Sequence, residues 1–236
     1  MSESFFAAGL DLGQAQDHSA LAVVDVIPTV RPCAIEDVDD EYQVARPGSV
    51  MLPGSPALAL RHLERFPLGT PYPDLVVAVA GRLRAIPGGA LLAIDKTGVG
   101  AAVVDMFALV GMPYIAVTIT AGNAVTGGGR DWGVPKRDLV HNLLIALQQG
   151  RFRAAARLPA ASVMMSELWA FRLKVNPVTG HDTYEAWRES EHDDLVLATA
   201  LACWLAEREV EARAEAAQEE AAVRSFGTRR VRISPF

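Results

Sequence analysis

Apolar residues run or alternate through residues 6–13 and 19–27, and the short polar segment between them predicts an antiparallel hairpin. Residues 28–56 are rich in Pro and Gly and acidic at Glu36, Asp37, Asp39, Asp40 and Glu41, which predicts a surface loop or a ragged extension of that hairpin. A third strand over 57–65 follows, then a turn over 67–71. Leu75, Val76, Val79 and Leu83 recur at helical spacing and predict a helix over 73–86, opened by Pro73-Asp74 and broken by Pro87-Gly88-Gly89. Residues 90–94 read as a buried strand, 98–110 as a helix and 114–118 as a further strand. That β-α-β-α-β order predicts parallel strands with helices on the faces of the sheet. Residues 121–133 predict a long Gly-rich loop, 136–149 and 160–171 helices, and 171–175 with 183–188 a late hairpin. A last helix is predicted from Asp193 to about residue 222, apolar through Leu195, Leu197, Ala198, Leu201 and Trp204 and charged beyond Glu207.

Three acidic words interrupt this pattern: Gly9-Leu10-Asp11-Leu12-Gly13, Leu91-Leu92-Ala93-Ile94-Asp95 and Glu191-His192-Asp193-Asp194. The first two end or interrupt apolar strands, and the third opens an apolar helix. A lone carboxylate inside such a run is costly to bury as an anion. Gathered around a divalent cation the three make sense, because Mg²⁺ and Mn²⁺ prefer hard oxygen ligands. Two metals held in this way are the machinery of a phosphodiesterase.

Composition narrows the setting. At 236 residues, 50% hydrophobic and 21% charged, the chain has the make-up of an ordinary globular domain. Cys33 and Cys203 are its only cysteines and show no metal-ligand or disulfide-framework spacing, so a reducing, cytoplasmic setting is expected. No segment approaches the run of about 18 apolar residues that a membrane span needs. The net charge of −6 argues mildly against nucleic acid, yet residues 130–174 alone carry +5, leaving −11 for the rest. Arg130, Lys136, Arg137 and Arg151 belong to this basic stretch and are candidate contacts for a DNA backbone.

The order of the elements, with one Asp on the first strand, another ending a later parallel strand and an acidic pair heading a C-terminal helix, resembles the RNase H-like fold. In detail, Asp11-Leu12-Gly13-Gln14-Ala15-Gln16-Asp17, Asp95-Lys96-Thr97-Gly98-Val99-Gly100, Val134-Pro135-Lys136 and His192-Asp193-Asp194-Leu195-Val196-Leu197-Ala198 resemble the nuclease domain of phage terminase large subunits. The resemblance covers residues 5 to 205. It implies an α/β fold with a mixed sheet, antiparallel hairpin strands followed by parallel ones, and helices on both faces. It also implies a domain over 1–206, with a surface insertion at about 28–56 and a charged helical extension and basic tail over 207–236.

On this resemblance Asp11, Asp95, Asp193 and Asp194 hold two Mg²⁺ or Mn²⁺ ions and catalyse endonucleolytic cleavage of double-stranded DNA. His192, Thr97 and Gly98 support the site. Neighbouring helix residues point about 100° apart, so both Asp193 and Asp194 reach one ion only if the helix start is loosened; otherwise one of them caps it. Lys96 departs from the small residue commoner there, and could neutralise a ligand or substrate charge. No Gly-x-x-x-x-Gly-Lys-Ser/Thr loop is present, and the chain starts only a few residues before its first strand. A packaging ATPase, portal or small terminase protein is then the expected partner of a monomer or weak oligomer, in a phage- or prophage-bearing host cell. Three readings compete: a RuvC-type junction resolvase on the same fold; a non-catalytic packaging module; and an actin-like or sugar-kinase ATPase, whose phosphate hairpin also reads Gly-x-Asp-x-Gly but which needs two related domains.

Overall fold

A computed structural model describes residues 3–13, 17–39, 44–155, 157–173 and 193–227. Eight strands and five helices follow one another along these residues: β1 (Phe5–Asp11), β2 (Ala20–Asp39), β3 (Val44–Arg65), α1 (Tyr72–Arg84), β4 (Ala90–Asp95), α2 (Gly100–Leu109), β5 (Ile115–Thr120), β6 (Thr126–Gly128), β7 (Asp131–Pro135), α3 (Lys136–Gln148), β8 (Phe152–Ala154), α4 (Ala161–Leu173) and α5 (Asp194–Gly227). The strands form one mixed sheet in the order β6-β7-β5-β4-β1-β2-β3-β8. β1, β2 and β3 are antiparallel neighbours, while β4 lies parallel to β1, and β5 parallel to β4. This is the mixed α/β sheet expected from the sequence.

The period-two pattern of β1 divides its side chains between two cores. Ala8 and Leu10 join Leu92 and Ile94 of β4 beneath α1 and α2. Ala7 and Ala93 face the other way, into a larger core with α3, α4 and the apolar half of α5. Helices therefore cover both faces. α5 lies directly over β1, and Gly9 permits it: a Cβ there would stand 2.1 Å from the carbonyl oxygen of Ala198 and 2.6 Å from the amide nitrogen of Ala202. α5 is continuous from Asp194 to Gly227, passing residue 207 without a break.

Four stretches differ from the sequence reading or complete it. Residues 28–39 and 44–56 are the hairpin extension rather than a loop, for β2 and β3 stay paired out to Asp39 and Val44. Pro28, which lacks an amide proton, falls at the register shift between Ile27 and Thr29, where a bulge removes the need for a ladder bond. Residues 121–133 are not one long loop: β6 and β7 pair as a tight hairpin, held by β7's parallel ladder with β5. β8 is only three residues long and pairs parallel with Leu58–Leu60, too short for any alternation to show. Residues 171–173 continue α4 rather than starting a strand, and the rest of the expected late hairpin, including 183–188, lies outside the described residues.

Because the atoms that would meet a side chain at position 9 are mostly backbone of α5, they have no rotamer by which to give way. Gly9→Ala is expected to lower stability by about 3 kcal/mol, the upper end of overpacking costs. Urea denaturation with an unchanged slope measures this, and wild-type stability in the variant would contradict the close approach of α5 to β1.

Candidate functional site

The C-terminal ends of β1 and β4 lie side by side. Leu10 pairs with Ile94 in their parallel ladder, so the residues that follow, Asp11 and Asp95, stand level on neighbouring strands. In-register parallel strands aim such residues at the same face, here the one covered by α5. Both are buried.

Asp95 is held by its own turn. Its Oδ1 accepts the Thr97 amide at 2.8 Å and the Thr97 hydroxyl at 2.6 Å, and that hydroxyl accepts the Ile119 amide at 2.9 Å. Gly98 takes φ 64°, and a Cβ on Gly100 would lie 2.4 Å from the Asp95 carbonyl oxygen. The word Asp-Lys-Thr-Gly-Val-Gly is thus a strand-to-helix turn built around the Asp95 side chain.

The head of α5 supplies the second pair of acids. The Asp193 carbonyl accepts the Leu197 amide at 2.9 Å and so begins the helical bonding; Asp194 is the first helical residue. Their side chains diverge. Asp193 Oδ2 lies 2.7 Å from Lys136 Nζ, whereas Asp194 Oδ2 lies 3.3 Å from Arg65 Nε. Lys136 opens α3 immediately after Pro135, and Arg65 ends β3. Arg65 also pairs with Glu167 of α4, whose Oε2 accepts the Val196 amide at 3.2 Å. A carboxylate from α4 therefore caps the first turn of α5 and ties it, through Arg65, to the sheet.

The electrostatics bind these residues into one cluster. Burial pushes Asp11 well above the ordinary carboxylate range, helped by the charges of Asp95, Asp193 and Asp194 and opposed by Lys136. Burial raises Asp95 too, against hydrogen bonds from Thr97 and Asp11 and the charge of Lys136. Glu167 is raised to about 7, chiefly by burial, with Arg65 and the Val196 amide pulling it down and Asp194 and Asp193 pushing it up.

Four buried or half-buried carboxylates are a hard-oxygen donor set that fits Mg²⁺ or Mn²⁺ in kind. Among the described residues, however, no three His, Cys, Asp or Glu side chains are arranged to hold an ion as they stand. Asp193 and Asp194 are turned toward Lys136 and Arg65 instead.

The remaining candidates divide. Arg137, beside Lys136, contacts Asp138 and the Asn123 carbonyl. Arg130 is exposed at the turn between β6 and β7, on the far side of β5 from Asp95. Arg151 is not brought to the acids: it bonds Pro56, Gln149 and Glu207, and Glu207 lies about 20 Å along α5 from Asp194. Lys96 pairs with Asp131 of β7, and it is Lys136 that takes the acidic contact. His192 lies outside the described residues. Arg65 and Glu167 are the pair the sequence reading missed. Glu167 had one legible signal, a charged residue adjoining the helical stripe of Met164 and Leu168; Arg65, at the end of an exposed-looking strand, had none.

No protein-family model matches the chain, and no curated protein matches it. Among solved structures it is similar to the large terminase nuclease from thermophilic phage G20c with bound magnesium, at 20% identity and a TM-score of 0.52, over 86% of this chain and 82% of that one. Two other crystal structures of that nuclease, one with bound zinc, give TM-scores of 0.49 and 0.48 at 19% and 20% identity, covering 85% of this chain and 81% and 80% of theirs. At this identity the likeness is one of fold, and the fold is RNase H-like.

A buried acid whose folded pKa is raised favours the folded state while protonated, and that stability is lost as it ionises. Metal-free protein should therefore lose stability as pH rises from 4.5, the ordinary value for Glu, through about 7. Glu167→Gln should flatten part of that fall. Thermal melts in EDTA between about pH 5 and 8 check it, and a melting temperature that climbs across the window would contradict the buried acidic cluster.

Proposed function

We propose that this protein is a divalent-metal-dependent endonuclease that cuts double-stranded DNA with little sequence preference, in the packaging of a phage or prophage genome. The observation supporting this best is the level placement of Asp11 and Asp95 opposite the acidic head of α5. The fold is shared with a terminase nuclease crystallised with magnesium. In this reading Asp11, Asp95 and Asp193 hold Mg²⁺ or Mn²⁺, and Asp194 completes the set or orients it. When bound, a pair of such ions supplies Lewis-acid charge and eases ionisation of water for in-line hydrolysis, leaving a 5′-phosphate and a 3′-hydroxyl.

The chain's own residues prepare the site. Thr97 fixes one carboxylate oxygen of Asp95. Arg65 and Glu167 fix the head of α5. Lys136 and Arg137, and Arg130 further out, present cations suited to phosphate rather than to base edges, so the DNA is held without being read. His192, next to the acidic pair, is the candidate to orient a carboxylate. Arg151 is left out of this reading, because its guanidinium is committed to Pro56 and Glu207. A packaging ATPase in the host cytoplasm, with portal or small terminase proteins, is the proposed set of partners; the charged part of α5 after Glu207 is the proposed handle.

Incubating supercoiled plasmid with protein and Mn²⁺ or Mg²⁺ should give nicked and linear products. Asp11→Asn and Asp95→Asn, which remove charge at nearly constant volume, should reduce cleavage to background while leaving the fold intact. Mn²⁺ should raise the melting temperature of the wild type more than that of either variant. Plasmid left intact across both metals would sink the nuclease reading.

DNA affinity should fall steeply with salt and depend little on sequence. Arg137→Ala should weaken binding to unrelated duplexes about equally. Strong discrimination between two random duplexes of equal length would contradict phosphate-based recognition.

A further inference from the structure

Among the described residues, two cations stand against the four acids, and they differ in kind. Arg65 is a planar guanidinium shared between Asp194 and Glu167, with its partners almost fully buried. It is built into the joint between β3, α4 and α5, and moving it would uncap α5. Lys136 is a single ammonium on a flexible stem, at the first position of α3, with its side chain and that of Asp193 each about a quarter exposed. An ammonium donates to whatever anion is nearest and can turn away without breaking a fork of parallel bonds.

The charge of Lys136 also reaches beyond its direct partner, to Asp11 and Asp95. One side chain thus touches Asp193 and screens the two strand acids, which is where a divalent cation would have to stand. Among the described residues the acids are gathered but no three are placed to hold an ion, and Asp193 is paired with Lys136.

We infer that the Lys136 ammonium is the internal counter-ion of the metal-free site: it holds Asp193 and steadies the acidic cluster, yields that carboxylate when a divalent cation enters, and is then free to meet a DNA phosphate. This rests on the metal-dependent reading above. The same residue would stabilise the protein before metal arrives and compete with the metal for its ligand.

The test compares wild type with Lys136→Met and Lys136→Gln, which keep length and lose charge. Without metal, both variants should melt below the wild type. Isothermal titration with Mn²⁺ should then show tighter binding, by about three- to tenfold, as expected for release of one partly exposed ion pair. The gain in melting temperature on adding Mn²⁺ should be larger than in wild type. In wild-type protein labelled with ¹⁵N-lysine, the ammonium resonance that disappears in Lys136→Met should shift or vanish as Mg²⁺ saturates.

Equal or weaker Mn²⁺ binding in both variants, or an ammonium resonance unmoved by saturating Mg²⁺, would overturn the inference while leaving metal binding in place. Metal binding by the variants and none by the wild type would support it in its strongest form. No binding by any of the three would remove both this inference and the nuclease reading.

Discussion

Everything in this structure turns on keeping several carboxylates close together at a place where water is scarce. Asp11 and Asp95 are buried at adjacent strand ends, and the charges of Asp193 and Asp194 are felt there. Like charges in such a place repel, and each loses hydration. The fold answers with three things: the positive end of the α5 dipole, which opens at Asp194; the Arg65 guanidinium behind Asp194; and the Lys136 ammonium before Asp193. None of these could act if α5 did not lie flat on β1, and Gly9 is what lets it. A residue with no chemistry of its own therefore sets the geometry of the site.

Much of this was legible in the sequence because the informative residues sit at element ends. Asp11 and Asp95 each close an apolar strand, so the parallel arrangement of those strands was enough to bring them level. The Thr-Gly-Val-Gly word after Asp95 announced its turn. What was not legible depends on partners far apart in the chain. Arg65 and Glu167 are separated by about a hundred residues, and no local pattern pairs them. β6 and β7 are strands by pairing rather than by propensity, for Thr-Gly-Gly carries no alternation and is extended only because β7 is held by β5. Arg151 is the opposite case: its charge was visible, but its pairing with Glu207 was not.

The distinction between fold and chemistry matters here. The RNase H-like sheet is a frame that brings β1, β4 and the head of α5 together, and a frame alone performs no reaction. The case for a nuclease rests on the particular side chains at that junction and on their state before metal arrives. Lys136 bears on this proposal directly, because its ion pair with Asp193 would have to break before that carboxylate could bind a cation. A site of that design gains stability in its empty form and gives up some affinity in its filled one.

The central claim is that Asp11, Asp95 and the head of α5 form a site for divalent cations. Anomalous diffraction from a crystal soaked in Mn²⁺ tests it most directly. The account predicts a manganese peak bridging the Asp11 and Asp95 carboxylates, with an Asp193 oxygen in its coordination sphere. A fully occupied crystal lattice at high Mn²⁺ with no peak between those two residues would contradict it.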